Sequence, residues 1–446
     1  MKSVALHNLG CKVNGYEMEV MQQILEEKNF KIVPFDRVAD IYIVNTCTVT
    51  NMADRKSRQM LHRARKRNPD AVVVAVGCYV QADKEKLLKD GGIDLLIGNN
   101  KKRDLVNILE EYLAGREEKT EQNTAVIDIG KTREYENMQL RRTGEHTRAY
   151  IKIQDGCNQF CSYCIIPHVR GRVRSRRKEE ILSEVKALAE NGYQEVVLTG
   201  IHLSSYGVDF SQEEKQAQGM EEESGLLSII KSIHEVQGIE RIRVGSLEPG
   251  IVTEEWAKQL VQLPKFCPHF HLSLQSGCDA TLKRMNRRYT TSEYYEKVEL
   301  LRRIFQNPAI TTDVIVGFPG ETEEEFSITQ AFLEKIRFYE MHVFKYSPRK
   351  GTPAAGMEQQ IPEEKKADRS DRLLEMGRQF SKEYRSLWIG NQVEVLFEEE
   401  KMIEGKAYQV GYTRQYVRVA KRTDISLANV MDRVRVTDFL TEDIVV

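Results

Sequence analysis

The sequence predicts an α/β protein in three blocks: an N-terminal parallel βα sandwich, a central partial (βα)6 TIM-type barrel and a small C-terminal OB-like β-barrel. Three observations carry this. Short apolar, β-branched runs alternate with helix-period stretches over the first two blocks, the pattern of parallel strands with covering helices. In the central block six such units follow in order. The last block instead alternates apolar and polar positions between turns, as a small antiparallel barrel does.

The first block spans residues 1–114. SVALHNL (3–9), DIYIVNT (40–46) and AVVVAVG (71–77) fit buried strands, with helical stretches at 17–28 and 52–67 between them. Each run leads into a cysteine: Cys11, Cys47 and Cys78. The C-terminal ends of parallel strands share one edge, where ligands bind, so three thiols distant in sequence are expected to converge. Residues 115–142 are polar and charge-rich, a linker with one short strand in TAVIDI (124–129).

The central block spans 143–375. Its strands are expected at AYIKIQ (149–154), EVVLT (195–199), RIRVGS (241–246), HFHLSL (269–274), TTDVIV (311–316) and EMHVFKY (340–346). Helical patterns at 178–191, 225–236, 291–305 and 322–336 lie between them, and the acidic stretch 211–224 reads as a solvated loop insertion. In the third block, 376–446, QVEVLFEE, GKAYQVGY, YVRVA and VRVTDF are short alternating strands. Barrels of this kind often bind RNA, although Glu398, Glu399 and Glu400 speak against it electrostatically.

Composition narrows the class. With 446 residues, 41% apolar and 30% charged, the chain is neither collagen-like, coiled-coil nor disordered. It lacks an apolar run long enough for a membrane span, and MKSVALHNLGCKVNGYE does not read as a signal peptide, so a cytoplasmic protein is expected. A cytosolic chain of this size needs no disulfides, so its clustered cysteines point to metal ligation or catalysis. Cys267 and Cys278 lack partners at ligand spacing and read as ordinary core or loop residues.

The formal net charge is −1, so only the distribution of charge is informative. Residues 55–67 hold Arg55, Lys56, Arg58, Arg63, Arg65, Lys66 and Arg67 without an acid, following Cys47. Residues 168–178 hold Arg170, Arg172, Arg174, Arg176, Arg177 and Lys178, again without an acid. Lys283, Arg284, Arg287 and Arg288 form a third group. Each run alone reads as a solvated face. Together with the terminal barrel they favour a polyanion, RNA phosphates above all, with Arg63, Arg65, Lys66, Arg67, Arg170, Arg172 and Arg174 as its contacts.

In DGCNQFCSYCIIP (155–167), Cys157, Cys161 and Cys164 stand as C-x3-C-x2-C directly after the first central strand. Three thiolates at this spacing can hold three corners of a four-iron, four-sulfur cluster and leave one iron open. A structural zinc site usually takes four protein ligands, and a redox C-x-x-C leaves Cys157 unexplained.

This motif on a six-unit partial barrel resembles the radical S-adenosylmethionine (SAM) superfamily. LGCKVNGYE, IVNTCTVT with ADRKSRQ, GCYVQ, SLEPG, HLSLQSG and DVIVGFPGETEEEF resemble the motifs of its methylthiotransferase family, and the terminal barrel resembles that family's TRAM domain. The resemblance spans almost the whole chain. It implies two four-iron clusters, one on Cys157, Cys161 and Cys164, the other, auxiliary, on Cys11, Cys47 and Cys78. It implies SAM as both radical source and methyl donor, bound at the strand ends: Thr199 and Gly200, Ser246 and Glu248, Gln275 and Ser276, and Val316, Gly317 and Phe318. Glu248 reads equally as a structural strand-end acid.

The implied activity is 2-methylthiolation of adenosine at position 37 of tRNA, next to the anticodon. An electron donor such as flavodoxin or ferredoxin and a sulfur source are implied partners. Lys12-Val13-Asn14 after Cys11 resembles the branch acting on N6-threonylcarbamoyladenosine. The branches acting on N6-isopentenyladenosine of tRNA or on a ribosomal-protein aspartate show Gln-Met-Asn or Pro-Lys-Asn there. A non-catalytic iron–sulfur RNA-binding protein is the alternative of another class; the open-iron motif and the glycine-rich strand ends argue against it.

Overall fold

The computed structural model describes residues 1–115, 124–141, 147–220 and 224–446. The first block builds β1 (Ser3–Asn8), α1 (Lys12–Glu27), β2 (Lys31–Val33), β3 (Ile41–Thr46), α2 (Asn51–Arg67), β4 (Val72–Gly77), α3 (Cys78–Ala82), α4 (Lys84–Lys89), β5 (Leu95–Ile97), α5 (Leu105–Ala114) and β6 (Thr124–Ala125). The strands pair in parallel in the order β2-β1-β3-β4-β5-β6. β3 and β4 are buried at every position, which is why they read as unbroken apolar runs. Thr50 caps α2 by accepting from the Ala53 N–H, and Arg65, Lys66 and Arg67 sit in its last turn, where the helix dipole favours cations. The register sets Asn8 opposite Asn45 and Thr46 opposite Gly77, so the three central strands end level with one another.

The central block continues with β7 (Arg148–Asp155), α6 (Ile166–Val169), β8 (Arg174–Ser175), α7 (Lys178–Glu190), β9 (Glu195–Gly200), α8 (Gln212–Ala217), α9 (Gly225–His234), β10 (Arg241–Val244), β11 (Ser246–Leu247) and α10 (Glu254–Val261). It is completed by β12 (His269–Leu272), α11 (Asp279–Arg284), α12 (Thr291–Ile304), β13 (Ala309–Val316), α13 (Glu323–Ile336), β14 (Glu340–Lys345) and α14 (Glu363–Ser386). Two four-stranded sheets result, β10-β9-β7-β8 and β11-β12-β13-β14, parallel throughout except for the short β8. One apolar core, running from Ala149 to Phe380, spans both sheets and the helices that cover them. The six expected strands are all present, the third split into β10 and β11. Thr290 and Thr322 start α12 and α13 with reciprocal capping boxes to Glu293 and Glu325.

The C-terminal block is an antiparallel sheet of β15 (Gln392–Ile403), β16 (Lys406–Thr413), β17 (Arg418–Lys421) and β18 (Met431–Arg435), in the order β17-β16-β15-β18. It packs on the N-terminal ends of the central strands, away from both cysteine triplets. Arg241 donates to the carbonyls of Tyr412 (2.8 Å) and Glu394 (3.0 Å), and Arg414 to that of Phe266 (2.7 Å).

Three expectations need correction. The stretch 211–224 is not plain loop. Ser211 and Glu214 form a capping box for α8 and Met220 is buried, while 221–223 lie outside the described residues. In the segment 115–142, β6 joins the sheet and Met138 and Leu140 enter the N-terminal core; 116–123 and 142 lie outside the described residues. Tyr16 Oη donates to the Met138 carbonyl (2.6 Å), and the Leu140 N–H donates to Glu184 of α7 (3.0 Å). The expected break at 375/376 falls inside α14, a single helix of 24 residues.

Candidate metal centres and the cavity between them

Level strand ends bring Cys11, Cys47 and Cys78 together. Cys11 caps α1, Cys47 follows β3, and Cys78 opens α3. The approach is close: a Cβ on Gly10, at φ +108°, would lie 3.0 Å from Cys47 Cβ and 3.1 Å from its Sγ. Burial pushes the Cys11 thiol up, with the charges of Cys78 and Glu17 adding to the shift, and the Cys47 thiol up to about 11, with Cys78 and Cys11 adding. Asn99 Nδ2 donates to Cys78 Sγ (3.5 Å).

The second triplet lies in the loop after β7. Gly156 is obligatory there, because a Cβ would sit 1.8 Å from the Arg172 carbonyl. The Cys157 N–H donates to the Gly171 carbonyl (3.0 Å), folding the loop back, and Phe160 adopts the left-handed region (φ +51°). Burial raises Cys157 to about 11 and Cys164 to about 12. Arg287 Nη1 donates to Cys161 Sγ (3.1 Å) and Nη2 to Glu248 Oε1 (2.6 Å). Burial works against the Glu248 carboxylate, but His202 and Arg287 hold its pKa below the usual value. Cys78 packs with Ile165, Val169 and Ile166, so the short helix α6 stands between the two triplets.

Both triplets suit a cluster better than a single ion. Tetrahedral zinc thiolates at about 2.3 Å bring sulfurs within roughly 4 Å of each other. Among the described residues, His271, Asp313 and His342 are the group of three whose ligand atoms all lie within 4.8 Å of one another, and neither cysteine triplet closes that far.

The charge around the auxiliary triplet corrects the RNA reading of Arg170 and Arg174. Both are fully buried. Arg170 donates to Glu17 (2.9 and 3.0 Å), Asp155 (3.1 Å) and Asn14 Oδ1 (2.7 Å). Lys152 pairs with Glu17 (2.7 Å) and Asp155 (2.6 Å), Lys102 with Glu17, and Arg174 lies 3.7 Å from Asp155. Four buried cations thus face three buried carboxyl groups, those of Glu17, Asp155 and Glu136, at the seam of the first two blocks. Arg170 acts electrostatically on Cys11, Cys47 and Cys78. An anionic group on those thiols completes this charge balance, which is how a three-thiolate cluster fits the site.

Other basic residues are also structural. Arg65 donates to the carbonyls of Pro69 (2.7 Å), Ala71 (2.8 Å) and Gly92 (3.2 Å), Arg67 to Phe35 (2.7 Å), and Arg284 pairs with Glu325. Arg63, Lys66 and Arg172 remain exposed. Glu398, counted against RNA, turns inward to Arg148 at 2.5 Å.

Of the strand-end residues expected at SAM, Ser246 is exposed and Glu248, Gly200 and Gln275 lie at the open strand ends, Gln275 with φ +72°. Thr199 is buried at the end of β9. Ser276, Val316 and Phe318 turn their side chains into the protein. Ser276 Oγ accepts from the Cys278 N–H (3.3 Å), Val316 belongs to the central core, and Phe318 packs on Met285 and Tyr346. The missing Cβ of Gly317 makes room for Lys366 of α14, whose Cγ would lie 2.3 Å from it. Any contact of these residues with a ligand is therefore through backbone.

A cavity of about 330 Å3 opens between the blocks, lined by Val49 and Thr50 after Cys47, by Tyr163, Cys164 and Ile165, and by Gln275, Ile315 and Lys345. Arg349 pins the segment after Cys47, donating to Asp54, Thr48 and Asn51, each at 2.7 Å. Asp313, in the lining of this cavity, stands with His271 and His342 on the polar inner side of the strands, the lumen, with His271 Nε2 3.2 Å from Asp313. Lys12 extends into this lumen over the Tyr150 ring, its Nζ 5.9 Å from the centroid. The sequence reading missed the roles of Lys12, Arg287, Arg349 and the lumen cluster. A signal for the lumen did exist, in polar residues recurring at alternate positions of HFHLSL and EMHVFKY.

The sequence matches the Radical SAM superfamily over residues 151–333 and an uncharacterized protein family, UPF0004, over residues 3–98. It is 41% identical to a threonylcarbamoyladenosine tRNA methylthiotransferase MtaB of Bacillus subtilis, over 94% of this chain and 90% of that protein. The MtaB of Aquifex aeolicus is 39% identical over 91% and 95% of the respective chains. A tRNA-2-methylthio-N(6)-dimethylallyladenosine synthase of Acetivibrio thermocellus is 34% identical, over 99% and 89%. Among solved structures, the radical SAM methyltransferase TsrM of Kitasatospora setae superposes with a TM-score of 0.58 at 16% identity, covering 79% of this chain and 77% of that one, a likeness of fold.

Proposed function

The chain belongs to the radical SAM tRNA methylthiotransferase family, and from that premise we propose that it methylthiolates C2 of N6-threonylcarbamoyladenosine at position 37 of tRNA. The observation that carries the reading is the pair of cysteine triplets on either side of α6, beside a cavity lined by Cys164 of one triplet and by Val49 and Thr50, which follow Cys47 of the other. Relatives named for the threonylcarbamoyl substrate are 37–41% identical, those named for the dimethylallyl substrate 32–35%.

In this reading residues 1–114 are the methylthiotransferase domain, the block from 143 through α14 a partial (βα)6 barrel and the sheet that follows it a TRAM domain, with 115–142 between the first two. Cys157, Cys161 and Cys164 hold the radical SAM cluster; Cys11, Cys47 and Cys78 hold the auxiliary one. A cluster on Cys157, Cys161 and Cys164 would supply, with SAM bound, radical chemistry for C2, and SAM would also supply the methyl group. The protein's own part is placement. Arg287 ties Cys161 to Glu248 at the strand ends, Arg349 fixes the loop after Cys47 against the central block, and Tyr163, Ile165 and Ile315 give the cavity dry walls.

Arg63, Lys66 and Arg172 are the remaining candidates for RNA phosphates. Among the described residues no helix is long and apolar enough to cross a membrane; a cytoplasmic site of action, an electron donor such as flavodoxin or ferredoxin, and a sulfur source complete the reading. Nucleoside mass spectrometry of tRNA from cells with and without the gene tests it. Deletion should remove the methylthio-threonylcarbamoyl nucleoside and let its precursor accumulate. Loss of the methylthio-isopentenyl nucleoside instead would overturn the substrate assignment.

A further inference from the structure

We propose that Lys12 is the residue that recognises the substrate's N6 substituent, its ammonium pairing with the threonine carboxylate. The inference deepens the substrate reading above and rests on it.

Lys12 opens α1 directly after Cys11. Its side chain has an open surface although protein surrounds it, because it faces the lumen instead of packing. Arg148, Arg243 and Asp313 are its charged neighbours. The other charges of the lumen are matched. Arg148 pairs with Glu398 and stacks on Tyr412 and Tyr416; Arg243 pairs with Glu195 (2.9 Å) and stacks on Tyr416; Asp313 pairs with His271. Among the described residues Lys12 alone of these has neither an ion pair nor a hydrogen bond from its side chain, only the face of Tyr150.

An ammonium with no counterion is free to take an anionic ligand, and the pair strengthens once that ligand excludes water from it. His271, Asp313 and His342 could offer ligand atoms to a metal ion. Arg148 and Arg243 are neutralised by their own carboxylates, so the cation left without a partner there is Lys12, and it favours an anion beside it instead. On adenine, C2 and the N6 substituent flank N1 along one edge. The residue that reads the substituent must therefore lie beside those that serve C2, and Lys12 is the immediate neighbour of an auxiliary-cluster cysteine. An isopentenyl group would leave the ammonium desolvated and unpaired, which is how the site would reject it.

The test uses the full-length chain reconstituted anaerobically with both clusters. Three anticodon stem-loops of one sequence carry threonylcarbamoyladenosine, its threonine carboxamide or isopentenyladenosine at position 37. Equilibrium binding by fluorescence anisotropy and kcat/KM by mass spectrometry are both read. The wild-type chain should favour carboxylate over carboxamide by about ten- to hundredfold, the range for a hydrogen-bonded charge. In Lys12→Met that ratio should fall to near one, and Lys12→Arg should restore most of it. A wild-type ratio near one overturns the inference without any variant, and so does a ratio that survives in Lys12→Met. Wild-type turnover of the isopentenyl stem-loop alone would overturn the substrate reading as well.

Discussion

Arg170 sits in a run of basic residues and reads in sequence as an RNA contact, yet it is among the most deeply buried side chains in the molecule. Its partner Glu17 lies 153 positions away, and a sequence pattern cannot show a pairing at that separation. The cysteines were legible because their chemistry is narrow; the arginines were not, because a guanidinium serves a phosphate and a buried carboxylate equally well. Breaking a buried ion pair typically costs about 3–5 kcal/mol. Lys102, Lys152 and Arg174 would still flank Glu17 and Asp155, so Arg170→Met should lose about 3 kcal/mol in chemical denaturation, at the low end of that range. Arg63→Gln, on an exposed face, should stay within about 0.5 kcal/mol of wild type.

At the scale of elements, α2 divides its cations between two tasks. Arg65 and Arg67 hold carbonyls beyond the helix end, while Arg63 and Lys66 point to solvent. If the exposed pair meets phosphate, Arg63→Gln with Lys66→Gln should reduce the log–log salt slope of tRNA binding by about 1.4–1.8. An unchanged slope would return α2 to a plain solvated helix.

The junction of β12 with the C-terminal sheet carries a pH dependence. His269 stacks on Tyr416 at 5.0 Å, and burial first, then Arg243 and Lys12, hold its pKa well below the ordinary 6.5. The unfolded chain takes up this proton first as pH falls. The contribution to stability is therefore complete above about pH 6.5 and declines below it, by roughly 1.4 kcal/mol per pH unit, until the folded group titrates. Denaturation midpoints between pH 7.5 and 5.5 should show the decline, and His269→Phe should flatten it. Strands such as β3 and β4 were legible because burial on both faces writes an unbroken apolar run. The end of the central block was not, because α14 carries a helical pattern straight through the expected boundary.

For the molecule as a whole, two cysteine sites should load independently. Reconstitution should give about eight iron atoms per chain. Replacing Cys157, Cys161 and Cys164 with Ala should halve the iron and abolish SAM cleavage to 5′-deoxyadenosine. Replacing Cys11, Cys47 and Cys78 should also halve it, yet leave that cleavage in place and stop methylthiolation. Unchanged iron in the second variant would refute the convergence of three strand ends.

The segment between the first two blocks, polar enough to read as a tether, gives Met138 and Leu140 to the N-terminal core and meets Tyr16 and Glu184 on either side. It belongs to both halves at once. A chimera that joins residues 1–114 to the catalytic half of a relative would orphan those partners, however well the two halves fold alone. The unit to move in such an exchange is therefore the pair with its strap, and point changes around the lumen should alter substrate range with less loss of stability than a swap of modules.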